Sequence, residues 1–82
     1  MAAYNGWANY ETWNVALWIG NDAGLYALAR DYRRDEKPYA AFREALKECS
    51  GGKPIAYETP DGVSWADSGL DISALDEMIT AK

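Results

Sequence analysis

The chain has 82 residues, a net charge of −5, 49% hydrophobic residues, one cysteine and no histidine. That length bounds it to one small domain with a modest core, and its apolar and aromatic content excludes a disordered chain. Without histidine the commonest general base and metal ligand is missing, and the lone Cys49 allows neither an internal disulfide nor a Cys/His zinc site.

No apolar run approaches the ~20 residues that span a bilayer. MAAYNGWANY has neither the basic nor the apolar region of a signal peptide, so a cytoplasmic protein without membrane association is expected.

Residues 1–8 read as an irregular lead-in whose Tyr4 and Trp7 either fold back onto the chain or meet a partner. The stretch NYETWNVALWIGND (9–22) is the densest in large apolar side chains. Asn9 is a good N-cap, and Tyr10, Trp13 and Leu17 recur at i, i+3 and i+7. Val15, Trp18 and Ile19 fill an adjoining face, leaving Glu11, Thr12 and Asn14 for solvent or capping. Apolar cover on several sides predicts a helix at the centre of the core, with Trp13 and Trp18 buried. Gly20 is expected to end it, and Asn21 or Asp22 to cap the next helix.

The second helix is predicted from Asp22 or Ala23 to Arg33, with Leu25, Leu28, Ala29 and Tyr32 as its stripe. Arg30, Arg33 and Arg34, with Lys37 close behind, either complement the helix dipole and pair with Asp31, Asp35 and Glu36, or form a basic patch for an anion. Pro38 suits the first turn of a third helix running to Cys49 or Ser50. Tyr39, Phe42, Leu46 and Cys49 share its apolar face, so a buried, inert thiol is expected. Gly51 and Gly52 stop it.

From Lys53 to Trp65 the pattern alternates, and Pro60-Asp61-Gly62 is a turn signal. A short β-hairpin or an ordered loop pinned by Tyr57 and Trp65 follows. A last helix starts near Asp71 or Ser73, buries Ile72, Leu75, Met78 and Ile79, and turns Asp76 and Glu77 outward. The fold class is therefore mainly α: a compact bundle of about four short helices, with the hairpin or loop between the third and fourth.

NYETWNVALWIGND followed by GLYALAR, with the later TPDGV (59–63) and LDISALDEMI (70–79), resembles a family of small uncharacterised proteins. They are common in bacteriophages, prophages and other mobile elements, and occur in some bacterial and archaeal genomes. The resemblance implies a shared fold and a mobile-element origin. It brings no established activity and no catalytic residue.

The chain lacks GxGxxG and GxxxxGK[ST] phosphate cradles. Asp61, Asp67 and Asp71 do not follow the EF-hand spacing. No catalytic, cofactor or metal site is expected, and the protein is read as a non-enzyme.

Charge is more informative. Residues 30–53 carry seven basic and five acidic side chains, whereas residues 54–81 carry Glu58, Asp61, Asp67, Asp71, Asp76 and Glu77 and no basic one. That acidic third suits docking on a basic protein surface, including one that grips nucleic acid; otherwise it serves solubility alone. With the resemblance, it predicts a protein-binding module of phage or mobile-element origin. Its host partner would be a defence nuclease complex, inhibited in the anti-CRISPR or antirestriction manner. The alternatives are nucleic-acid binding through Arg30, Arg33 and Arg34, and a self-associating module, monomer or homodimer, using Tyr4 and Trp7.

Overall fold

Helix ends decide much of the architecture. Asn9 adopts an extended backbone, and its Oδ1 accepts from the Thr12 amide at 2.9 Å and the Thr12 hydroxyl at 2.6 Å. This satisfies an amide that a helix start leaves unpaired. Helix α1 then spans Tyr10–Asn21 in the computed structural model, which describes residues 4–81. Gly20 does not stop it but lies inside the last turn. The stop comes at Asp22, whose extended backbone leaves the helix while its amide still donates to Trp18 O at 3.0 Å. The same Asp22 caps α2 (Ala23–Asp31), its Oδ1 accepting from Leu25 N at 3.0 Å. Helix α2 is thus two residues shorter than the sequence pattern predicts.

Helix α3 spans Pro38–Ser50 with Pro38 in its first turn, as expected. Lys37 gives no side-chain cap, and the amide of Tyr39 is instead taken by Asp76 of the last helix, at 2.8 Å. Gly51 and Gly52, at φ +56° and +84°, stop α3 in the left-handed region where glycine carries no Cβ penalty. A short 3₁₀ turn follows at Pro54–Ala56.

Helix α4 spans Ile72–Ala81. Asp71 Oδ1 accepts from Ala74 N at 3.1 Å, which is a cap one turn back.

Between the 3₁₀ turn and α4 the chain makes a minimal hairpin. Thr59 N donates to Val63 O at 2.7 Å, Gly62 N donates to Thr59 O at 2.8 Å, and Gly62 sits at φ +89°. This is a three-residue loop closed by a left-handed glycine. Its ladder is the single bridge Glu58–Ser64, so the hairpin forms without strands.

The core corrects the sequence reading of α1. Its buried residues are Thr12, Asn14, Val15, Ala16 and Ile19; Tyr10 is 40% exposed, Trp13 is half-buried, and Trp18 packs only partly buried against the core. The largest fully buried side chain is Trp65, from the loop. It meets Phe42 edge to face at 5.7 Å and donates its indole N–H to Ile55 O at 2.7 Å. Tyr39 donates its hydroxyl to Trp65 O, and burial holds that phenol well above its ordinary pKa despite opposing Arg43. Leu46, Leu75, Ile79, Leu25 and Ala29 complete the interior.

Two more expectations fail. Tyr57 is 57% exposed and pins nothing. Cys49 is exposed, because residues 47–49 in the last turn of α3 stand clear of the core.

Candidate docking face

The acidic side chains do not share one condition. Asp61, at the hairpin tip, accepts from Asn14 Nδ2 at 2.8 Å and from Trp18 Nε1 at 2.9 Å. The Asn14 bond first, and the Trp18 bond second, hold its carboxyl below the usual range. Asp67 accepts from Gly69 N at 2.7 Å. Asp71 caps α4, and its own amide donates to the Thr12 hydroxyl at 2.9 Å. Asp76, expected to face outward, is half-buried and spans to α3 through the Tyr39 amide. Glu58 and Glu77 are exposed, and their carboxylates make no hydrogen bond or ion pair among the described residues.

None of the six carboxylates is in an ion pair; the single ion pair among the described residues joins Lys47 and Glu44 at 3.8 Å. Nor do three acidic, histidine or cysteine side chains group there in a way that could hold a metal. Asp61, Asp67 and Asp71 instead accept from four separate donors: Asn14 and Trp18 for the first, Gly69 N for the second and Ala74 N for the third.

The geometry brings Asp71 and Glu77 together with Trp7. Asn5 and Gly6 sit at φ +50° and +89°, and Tyr4 and Trp7 exchange backbone bonds of 2.6 and 2.8 Å across them. Positive φ at both central residues is the condition of a type I′ turn, which Asn-Gly favours. The lead-in expected to be irregular is therefore an ordered tight turn over the described residues 4–7. It carries Trp7 against the core and beside α4. Trp7, Asp71 and Glu77, with Ala74, Met78 and Ala81, line an open groove of about 650 Å³.

The turn's other aromatic, Tyr4, packs on Tyr10 at 5.4 Å and Trp13 at 4.9 Å, and forms a surface cluster with them. Met78 is half-buried and Ile72 is 39% exposed, so the outer parts of α4's expected stripe reach the surface.

The basic residues lie elsewhere. Arg30 extends over the Tyr26 ring at 5.8 Å, and Arg33 donates to Arg30 O at 3.2 Å. The expected pairing of Arg30, Arg33 and Arg34 with Asp31, Asp35 and Glu36 does not form among the described residues; Asp35 accepts the Lys37 backbone amide instead.

Sequence reasoning missed two features. The groove floor was signalled by Ala74, Met78 and Ala81 at i, i+4 and i+7, a second stripe beside the buried one. The Asn-Gly dipeptide between aromatics was the signal for the turn.

No helix among the described residues is long and apolar enough to cross a membrane. No curated protein and no solved structure matches the chain. One family model matches residues 1–82, so the chain belongs to the Family of unknown function (DUF7249).

Proposed function

We propose that the protein is a non-enzymatic binding module that docks on a basic protein surface through its acidic C-terminal third. The observation that supports this most is the unneutralised charge. Glu58, Asp61, Asp67, Asp71, Asp76 and Glu77 have no cationic partner among the described residues, so their field reaches solvent and favours a partner of opposite sign. Four of the six also hold backbone or side-chain donors, which fixes them in place before a partner arrives and lowers the entropy lost on docking.

The narrower reading is an inhibitor of a host defence nuclease complex, of the anti-CRISPR or antirestriction type. It rests on the resemblance to phage and mobile-element proteins and on a surface that competes for sites built to hold phosphate.

The test is a pull-down from bacterial lysate at low and high salt, with wild type and a Glu58→Lys/Glu77→Lys variant. These two carboxylates make no internal bond, so the variant keeps its fold, which circular dichroism checks. The expected result is a nucleic-acid-handling complex captured by wild type at low salt and lost from the variant. Equal capture by both removes the acidic surface from the function.

A second reading, direct nucleic-acid binding, is favoured by the absence of ion pairs at Arg30, Arg33, Arg34 and Lys37 among the described residues. Titration of labelled DNA and RNA at low salt decides it, because phosphate contacts weaken steeply as salt rises.

A further inference from the structure

Helix α4 has two faces. Leu75 and Ile79 turn inward and are almost wholly buried. One step round the helix, Ala74, Met78 and Ala81 form a second apolar stripe, with Asp71 in line ahead of it and Glu77 on its flank. Nothing from α1, α2 or α3 lines the groove over this stripe; its other wall is the tight turn that carries Trp7. At about 650 Å³ the groove falls within the roughly 300–1,000 Å³ of clefts that bind ligands.

Its chemistry specifies an occupant. Two alanines leave room for a backbone to approach α4 closely, and packed helices sit ~8–10 Å apart. Trp7 and Met78 offer an aromatic anchor and an adaptable side chain, both favoured at binding surfaces. Asp71 and Glu77 are six positions apart, about 9 Å along a helix axis, and among the described residues no Lys or Arg lines the groove. A strand has no sheet edge to extend among the described residues, and an alanine-floored face along α4 with acidic flanks suits helix-in-groove docking.

We propose that this groove receives an amphipathic helix of a partner protein, with an apolar stripe on Trp7, Ala74 and Met78 and flanking Lys or Arg over Asp71 and Glu77. The proposal rests on the acidic-docking reading above and narrows it to one face.

The probe is a fluorescein-labelled Leu/Lys amphipathic helical peptide, read by anisotropy, with a scrambled peptide of the same composition as control. Four variants of the full chain are compared: Glu77→Lys in the groove, Glu58→Lys on the acidic third outside it, Glu48→Lys on exposed α3 at equal charge, and Ala74→Trp to fill the floor. Denaturant midpoints verify that each is folded. The expected result is affinity about tenfold weaker, or ~1.4 kcal/mol, for Glu77→Lys, for Ala74→Trp and for the scrambled peptide, with Glu58→Lys weakened less and Glu48→Lys unchanged.

If Glu58→Lys weakens binding as much as Glu77→Lys and Ala74→Trp has no effect, the groove is overturned while the acidic-surface reading stands. If no variant changes binding, both fall. Peptide binding that appears only after residues 1–3 are deleted assigns the groove to the chain's own N-terminus and overturns the proposal.

Discussion

Around Trp65 the interior is held mainly by shape: an indole, a phenol and a phenyl ring interlock, with Leu46, Leu75 and Ile79 filling the space between helices, and the indole and phenol donate only to backbone carbonyls. Between α1 and the hairpin it is held by hydrogen bonds. Asn14 is fully buried, accepts from the Thr59 hydroxyl at 2.7 Å and donates to Asp61. Thr12, also fully buried, ties Asn9 to Asp71. No buried side-chain polar atom among the described residues lacks a partner. The apolar side responds to volume. The polar seam responds to the identity and direction of each group, because a buried donor or acceptor left unmatched bears its full desolvation cost. The seam thus sets where the hairpin lies on α1, a placement that apolar contacts alone would specify loosely.

Substitutions separate the two modes. Trp65→Ala should have the largest effect, a loss of ~3–5 kcal/mol from burial and cavity terms, enough to unfold much of so short a chain; urea titration measures it. Asn14→Leu should cost about 2–3 kcal/mol despite adding apolar volume, because the buried Thr59 hydroxyl loses its acceptor and Asp61 one of its two donors. The near-isosteric Leu75→Met on the other side should cost under ~1.5 kcal/mol. If Asn14→Leu proves neutral, the seam contributes nothing beyond filled space and the contrast collapses.

Gly62→Ala should cost about 1 kcal/mol, since alanine is strained at φ +89°, and thermal melts will show whether the hairpin backbone matters independently of its side chains. Asp61 sharpens the comparison through pH. Its folded pKa is lowered, so the ionised carboxylate stabilises the native state above the ordinary carboxylate range. That contribution disappears as pH falls through the depressed folded value. Asp61→Asn should therefore flatten the acid side of the stability profile, with variant and wild-type urea midpoints converging as the carboxylate is protonated.

Cys49→Ser should change stability by less than ~0.5 kcal/mol, and the native thiol should react with a disulfide reagent without denaturant.

What was legible in the sequence was local. Asn9 and Asp71 cap helices within three residues of themselves, Pro38 opens α3 and Gly51 closes it, and each of these choices is settled by neighbouring backbone. The helical count and the hairpin turn follow from the same kind of signal.

Thr12 and Asn14 read as residues for solvent or capping, and only Thr12 joins a cap, because the partners that bury them, Asp71 and Thr59, lie 59 and 45 positions away. Periodicity weighs side chains by hydropathy and assigns such residues outward. Tyr10 and Trp13 suffered the opposite error, their rings being covered in part by Tyr4 on the surface. Asp76 likewise looked idle on an outer face, yet it serves the first amide of α3 that a lysine N-cap and a proline leave unmatched. The groove was hidden for a related reason: it needs the Asn5-Gly6 turn to bring Trp7 to a helix about 70 positions downstream.

Asp22 joins α1 to α2 as a single residue, closing one helix with its amide and opening the next with its carboxylate. Such a joint has no slack. One residue inserted there must either break both caps or continue the helix, and continuing it rotates Leu25 and Ala29 by about 100°, away from the interior. Between α3 and the 3₁₀ turn, Gly51, Gly52 and Lys53 are all exposed and can lengthen into solvent. Changes in chain length are therefore tolerable between α3 and the 3₁₀ turn and forbidden at the corner between α1 and α2.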